Sequence, residues 1–149
     1  MTKTVPVATE TTASDILNCM SEALIFADAK GIIQTWNPGA EFLFGYSAEE
    51  AIGKSLDIII PEKLRKAHWD GYNRALAQGG TKHGRRTMIT RAIHRNGEQI
   101  YVDMSFAVVK NQAGEPTGSV AIASDANQRY LDEKNLRRQL SELTASQAK

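Results

Sequence analysis

The sequence has little of what several classes of protein require. Its 149 residues include one cysteine, Cys19, so no disulfide can form within the chain and cysteine-rich zinc sites are excluded. No apolar run approaches the roughly 18 residues of a transmembrane helix, and no basic-then-apolar secretion signal opens the chain. Lysine and arginine (18) nearly balance aspartate and glutamate (17), which excludes a general nucleic-acid binder. These absences predict a cytoplasmic domain or a cytoplasmic piece of a larger protein.

What is present describes one ordinary folded unit. With 42% hydrophobic and 23% charged residues, the chain can bury a core of its own. We divide it into a loose polar arm (1–11), a folded domain (12–127) and an amphipathic C-terminal exit helix (128–149). It contains no Gly-rich phosphate loop and no Ser-His-Asp order, so we do not expect an enzyme.

Turn and cap signals predict the elements in the first half of the folded domain. Two apolar runs, 24–27 and 32–36, are separated by Asp28-Ala29-Lys30-Gly31 and predict a β-hairpin. Asn37-Pro38 predicts the start of a short helix, and Ser47-Ala48-Glu49-Glu50 is a capping box for another. These signals place two strands ahead of a group of short helices.

The second half of the domain changes from a helical to an alternating period. A longer helix is predicted over 61–78, followed by strands over 87–94, 100–108 and 120–123. Asn96-Gly97 is a strong hairpin signal between the first two of these strands. Strands joined by hairpins, with the helices grouped between them, predict an α+β fold with an antiparallel sheet and helices on one face.

Several short motifs also follow one another in a recognisable order. They are Trp36-Asn37-Pro38-Gly39-Ala40-Glu41, Leu43-Phe44-Gly45-Tyr46, Glu49-Glu50-Ala51-Ile52-Gly53-Lys54, Pro61-Glu62, Asn96-Gly97 and Asp125. Over about residues 13–127 this order resembles the PAS sensor domains. The resemblance implies a five-stranded antiparallel sheet with helices that form a pocket on one side, and a role in sensing or protein interaction rather than in catalysis. Asp125-Ala126-Asn127 departs from the family's usual Asp-Ile-Thr junction with the exit helix.

The helix predicted over 61–78 carries a histidine on its apolar stripe. The stripe follows the spacing of one helix face: Leu64, Ala67, His68, Gly71, Tyr72, Ala75 and Leu76. We expect His68 to point inward, with small neighbours on either side that leave room for a flat group. A neutral imidazole in an apolar pocket is a good iron ligand. The alternative is a core or rim histidine that is bonded to a backbone carbonyl.

This helix also resembles the haem-binding subset of PAS domains, in which a histidine a few residues after a Pro-Glu start is the proximal ligand. The resemblance implies haem b, with His68 as the metal ligand, and the sensing of a gas or of a redox change. Oxygen-binding members usually carry an arginine where Gly84-Arg85-Arg86-Thr87-Met88 has threonine, so the distal residue is unassigned. The candidate pocket residues are His68, Tyr72, Gly71, Leu64, Arg74, Met88 and Ile122.

Two features leave alternatives open. The most basic stretch, 82–95, is either an anion contact or, as we favour, the solvent face of a strand. In the last strand Ala121 and Ala123 alternate with Val120 and Ile122, and the pocket is larger if the alanines face the helices. The histidines lack zinc-ligand spacing. Thr12 or Ser14 predicts the start of a short N-terminal helix that ends near Glu22. Cys19 lies in this helix, and that position argues against the flavin–cysteine adduct of light-sensing PAS domains.

The exit helix carries Leu136, Leu140 and Leu143 at heptad spacing. It is either a simple amphipathic helix or a signalling coiled coil that makes a homodimer and leads to an output domain or partner. We interpret the chain as a cytoplasmic PAS sensory module that binds a small ligand internally and transmits its state through Asp125. The alternative is a ligand-free PAS module for dimerisation, and neither interpretation involves nucleic acid or a membrane segment.

Overall fold

The computed structural model describes residues 10–81 and 84–148. The helices are α1 (Glu10–Cys19), α2 (Pro38–Phe44), α3 (Ala48–Ala51), α4 (Arg65–Gln78) and α5 (Asn127–Gln147), with 3-10 turns at Leu56–Ile59 and Glu62–Leu64. The strands are β1 (Ala23–Asp28), β2 (Ile33–Trp36), β3 (Met88–Ile93), β4 (Gln99–Lys110) and β5 (Pro116–Asp125). The predicted arm, 1–11, lies outside the described residues except for its last two positions, where α1 begins.

The five strands form one antiparallel sheet in the order β2-β1-β5-β4-β3. The predicted α+β class and antiparallel sheet are therefore confirmed. The N-terminal hairpin, β1–β2, and the C-terminal meander, β3–β4–β5, meet where β1 pairs with β5, with Phe26 opposite Val120. No helix within the described ranges is long and apolar enough to span a lipid bilayer.

The short helices begin where side chains satisfy their first backbone N–H groups. The Oδ1 of Asn37 accepts a hydrogen bond from the Ala40 N–H at 2.9 Å, and Pro38 occupies the first position of α2. Ser47 and Glu50 exchange reciprocal bonds at the start of α3. Both predicted cap motifs are confirmed, and they set the direction in which the chain enters each helix.

The longer helix and the last strand each begin four residues away from their predicted starts. The segment predicted as one helix over 61–78 starts with the 3-10 turn Glu62–Leu64, and only Arg65–Gln78 is α-helical. The last strand begins at Pro116 rather than at Val120. Small and polar residues hide the alternation at its start, and Gly118 is needed there because a Cβ would overlap the Ala27 carbonyl of β1.

The register of the sheet decides which side of β5 faces the helices. Ala121 and Ala123 lie opposite Phe106 and Met104, on the same face as Val102, which is fully buried. The alanines therefore face the helices, on what we call the inner face of the sheet. Ile122 lies on the outer face and is 38% exposed, so its predicted place in an inner pocket is wrong. A one-residue change of register would have reversed this result.

Candidate functional site

The buried side of α4 differs from the predicted stripe. Tyr72 and Ala75 are buried, whereas Ala67 and Gly71 are exposed. The prediction that these two small residues flank His68 on the inward face is therefore wrong. The buried side instead includes Trp69, because its ring packs over the turn that joins β1 to β2. The sequence pattern did not select this residue.

Trp69 connects α4 to two neighbouring segments. Its Nε1–H donates to Oδ1 of Asp57 at 2.8 Å, and Asp57 lies in the 3-10 turn Leu56–Ile59. Its ring lies directly against Gly31, where a Cβ would overlap the ring carbons. Gly31 also has a φ of +79°, which glycine adopts without strain. The close approach and the positive φ both make glycine necessary at this position.

Tyr72 forms a second connection, from α4 to the sheet. Its hydroxyl donates to the Asp28 carbonyl at 2.6 Å and accepts from the Ser119 hydroxyl at 3.3 Å. Its ring makes an edge contact with Phe106, at 5.9 Å between centroids. Burial raises the pKa of Tyr72, so the phenol keeps its proton and remains a donor at neutral pH. The side chain thus joins α4 to β1, β4 and β5 at one point.

His68 packs against both of these aromatic side chains, which also contact each other at 5.3 Å between ring centroids. Its ring is 4.8 Å from that of Trp69 and 5.8 Å from that of Tyr72. Burial lowers the pKa of His68, and the nearby Asp57 carboxylate opposes this only in part. Its Nδ1 is buried and, in the part of the chain that the structure describes, has no hydrogen-bond partner. The result is a neutral imidazole whose buried nitrogen is not bonded to a backbone carbonyl.

Three apolar side chains on the inner face of the sheet, one of which contacts Tyr72, are incompletely covered. Phe106, which touches Tyr72, is half-buried together with Met104. Met88 lies opposite Met104 on the same face and is 47% exposed. We call Met88, Met104 and Phe106 the inner apolar surface. A flat apolar group placed here would bury surface that the protein itself leaves open to water.

The structure brings only some of the predicted site residues together. His68 and Tyr72 are in contact, Leu64 lies one helical turn before His68, and Met88 belongs to the inner apolar surface. Gly71 and Arg74 lie on the exposed side of α4. The further neighbours of the site are Trp69, Phe106, Ser119 and Asp28. Phe106 could have been found from the alternation in β4, whereas the others depend on long-range contacts.

The basic stretch 82–95 is divided among different surroundings. Arg95 forms an ion pair with Glu50 at 2.8 Å, and the His94 ring packs against Gly45. Arg91 is exposed on the outer face of β3, while Lys82 and His83 lie outside the described residues. Arg91 therefore agrees with the predicted solvent face of a strand. The basic residues of this stretch that the structure describes do not share one anion site.

The junction between the sheet and α5 is held by backbone and side-chain bonds to β4. The Ala126 N–H donates to the Tyr101 carbonyl at 2.9 Å, and the Tyr101 N–H donates to Asn127 Oδ1 at 2.8 Å. Asp125 Oδ1 accepts from the Asn127 N–H at 2.8 Å. The side chain of Asn127 therefore joins α5 to β4, and the side chain of Asp125 joins β5 to α5, at the position where the sequence departs from the family's usual junction.

The first turns of α5 also contact the outer face of the sheet. Tyr130 stacks on Tyr101 with 3.7 Å between ring centroids, and Arg129 pairs with Asp103 at 2.9 Å. Beyond these contacts the helix is exposed along its length. The start of α5 is thus tied to β4, and the remainder projects from the domain.

Comparisons with known proteins agree with this architecture. A family model described as the PAS fold matches residues 14–126. The sensor protein FixL of Bradyrhizobium diazoefficiens is 44% identical over 63 residues, which are 42% of this chain and 12% of that protein. The oxygen sensor protein DosP of Escherichia coli is 46% identical over 48 residues, 32% of this chain and 6% of that protein. The chain thus spans only a small part of the curated relatives it matches.

Solved structures support the same fold. The PAS domain of a protein from Colwellia psychrerythraea has a TM-score of 0.69 at 22% identity, and the match covers 79% of this chain and 97% of that one. An RNA-binding light-oxygen-voltage receptor has a TM-score of 0.74 at 21% identity, covering 95% of this chain and 40% of that one. At these identities the likeness establishes the architecture alone.

Proposed function

This chain belongs to the PAS family and is a PAS sensory module, and we propose that its ligand is haem b, with His68 as the iron ligand. The observation that carries the proposal is the buried Nδ1 of His68, which has no hydrogen-bond partner among the described residues. Burial also lowers the pKa of this imidazole, which favours the neutral form that binds iron. A buried polar atom left unpaired is costly, and a bond from this nitrogen to iron would satisfy it.

The chemistry of the inner face would suit a flat apolar cofactor. The inner apolar surface, Met88, Met104 and Phe106, would supply apolar contacts, and Ala121 and Ala123 contribute only small side chains to the same face. Haem, when bound, would supply an iron coordination position at which a gas binds or a redox change occurs. The protein's part is to hold the imidazole neutral and to keep water from the apolar faces. The proposal assigns no catalytic step to the chain.

Tyr72 is the residue through which a change near His68 would reach the sheet. It contacts the His68 ring and receives a hydrogen bond from Ser119 of β5. The same strand ends at Asp125, which bonds the Asn127 N–H at the start of α5. A shift of the imidazole would therefore alter one strand that leads directly to the exit helix. For this to transmit a signal, the strand–helix junction must have two arrangements of similar free energy.

The curated relatives support a sensory function. FixL is named a sensor protein and DosP an oxygen sensor protein. Because the matched segments are short parts of both proteins, oxygen as the input remains part of the proposal. Cytoplasmic location is likewise part of the proposal and rests on the composition of the sequence.

A hemin titration tests the proposal directly. We expect added hemin to give the full-length protein a shifted Soret band, and His68→Ala to lose that shift because the iron loses its protein ligand. His94→Ala is the matched control, since His94 is the other histidine within the described ranges and lies against Gly45. The His94→Ala spectrum should equal that of the wild type. Absorption spectra of all three proteins, recorded at equal hemin, make the comparison.

The spectra can also refute haem binding. An unshifted Soret band in the wild type, or a shifted band that persists in His68→Ala, contradicts His68 as the ligand. Circular dichroism of each variant shows whether the fold is retained, so that a lost shift is not mistaken for unfolding. A folded protein without a Soret shift favours the ligand-free interaction module.

Dimerisation through α5 is the second candidate function. Leu136, Leu140 and Leu143 are 64%, 66% and 61% exposed, and α5 has no buried residue. Three leucines at heptad spacing on an exposed helix form a seam that a second copy of the chain could cover. In such a homodimer, a change at the strand–helix junction would be transmitted along the paired α5 helices to an output domain or partner.

Sedimentation measures the contribution of this seam. We expect the wild type to sediment as a dimer and Leu140→Glu to shift strongly toward monomer, because the new carboxylate would be buried in the seam. Ser141→Glu adds the same charge to the neighbouring residue, at an outer heptad position away from the seam, and should remain dimeric. If the wild type is a monomer, or if both variants dissociate equally, α5 is not a dimerisation helix.

A further inference from the structure

A groove whose lining does not include His68 lies between α5 and the sheet. It has a volume of about 460 Å³ and runs from the first turns of α5, past β4 and β3, to Leu64. Its polar lining comes mainly from Arg91, Tyr101, Tyr130, Lys134 and Arg137. We call it the exit groove. Its volume lies within the range of small-molecule sites.

Positive charge is present on both walls of the exit groove. Arg91 belongs to β3, whereas Lys134 and Arg137 lie one turn apart on α5. Within the described part of the chain, none of the three makes an ion pair with a carboxylate. The one acid in the lining, Glu133, lies 3.5 Å from Arg129. Like charges on facing walls repel, so the groove attracts an anion that can lie between them.

Two phenol groups add hydrogen-bond donors to this positive lining. Tyr101 and Tyr130 stack with their planes 9° apart. The neighbouring Tyr130 phenol raises the pKa of Tyr101, while the nearby Arg91 and Lys134 act in the opposite direction. The Tyr101 phenol thus remains protonated at neutral pH and stands close to cations from both walls. Cations and protonated hydroxyls together suit an anion with several acceptor oxygens.

We propose that the exit groove binds a small phosphate-bearing anion that joins β3 to α5. Phosphate presents several charged oxygens, so a single group can accept hydrogen bonds from the arginines of both walls. The bound anion would offset the repulsion between Arg91 and the α5 cations and hold the helix against the sheet. The site is separate from His68, so it would give the exit helix a second input besides the one proposed at the inner pocket.

Calorimetric titration of the full chain with pyrophosphate, and separately with ATP, tests this site at low ionic strength. We expect binding, and we expect Arg137→Gln and Arg91→Gln each to weaken it by about ten-fold, the loss typical of one charge-assisted hydrogen bond. Arg138→Gln is the matched control because Arg138 is adjacent on α5 but lies outside the lining and close to Glu142. It should bind like the wild type. ATP binding more tightly than pyrophosphate would identify a nucleotide, and equal binding would identify the phosphate groups alone.

The bridging role has its own readout. Hydrogen exchange of the α5 amides should slow when pyrophosphate binds the wild type, and should not change in Arg91→Gln at the same concentration. Two outcomes overturn the proposal: neither probe binds, or Arg137→Gln and Arg138→Gln weaken binding equally, as diffuse attraction to a basic helix would. Binding that survives Arg91→Gln unchanged also overturns it, since the strand wall would then play no part.

Discussion

Substitution of Asn37 by alanine is expected to lower the free energy of unfolding by about 3–5 kcal/mol. Asn37 is 3% exposed, and all its side-chain bonds are to the backbone. Its Oδ1 accepts from the N–H groups of Leu24 and Ala40, at 2.8 and 2.9 Å. Its Nδ2 donates to the carbonyls of Leu17 and Glu22, at 3.1 and 3.0 Å. Alanine removes the cap of α2 and leaves these four backbone groups without this partner.

Urea unfolding of two further variants separates the parts of this effect. Asn37→Ser keeps a capping oxygen for the Ala40 N–H but loses the amide donors to Leu17 and Glu22, so its loss of stability should fall between wild type and Asn37→Ala. Asn73→Ala removes an exposed asparagine from α4 and should change the free energy of unfolding by less than about 0.5 kcal/mol. If the free energy of unfolding of Asn37→Ala lies within about 1 kcal/mol of the wild-type value, the change is no larger than that of a typical surface substitution. The four hydrogen bonds of Asn37 would then not stabilise the fold.

Substitution of Gly31 by alanine is expected to be the next most damaging change, with a loss of about 3 kcal/mol. The backbone there has a φ of +79°, and the added methyl would overlap the Trp69 ring. Trp69 would have to move, which would break its bond to Asp57. Because Trp69 also packs on His68, the change should reach the proposed haem site.

Gly97→Ala separates backbone strain from the ring contact. Gly97 has a φ of +88° with open space around its Cα, so alanine there should cost only the strain, about 1–2 kcal/mol. Urea unfolding of Gly31→Ala in a Trp69→Leu background then measures the coupling between the methyl and the ring. We expect Gly31→Ala to lower the free energy of unfolding less in the Trp69→Leu background than in the wild type, by at least about 1 kcal/mol. Equal losses in Gly31→Ala and Gly97→Ala would show that the ring contact has little effect.

Features that depend on short segments could be predicted correctly. The capping residue Asn37, the Ser47–Glu50 box and the β1–β2 hairpin all involve groups within a few residues of one another, so their chemistry is visible in the sequence. The order of motifs also identified the family, which the match over residues 14–126 confirms. His68 was singled out by the same local spacing, and its role as a ligand stays a prediction.

Features that depend on packing between distant segments could not be predicted. The stripe on α4 included Gly71 and omitted Trp69, because hydrophobic periodicity cannot show that the tryptophan ring packs on Gly31 of a distant turn. Ile122 was placed in the pocket although its register with Ser105 puts it on the outer face. The exit groove likewise depends on how α5 leaves the sheet, which the composition of either segment does not reveal.

The sequence by itself determined the family, the class of fold and the positions of the turns, because these follow from backbone preferences and from hydrogen bonds within a few residues. Only the tertiary structure decided that Ala121 and Ala123 face the helices, because side chains alternate across a strand and the pairing of β5 with β1 and β4 sets the phase. It also decided that the single cluster of basic residues seen in the sequence is divided. Arg95 pairs with Glu50, while Arg91 lines the exit groove together with Lys134 and Arg137 of α5. These groove residues are far apart in the sequence, so only the tertiary structure shows that they meet.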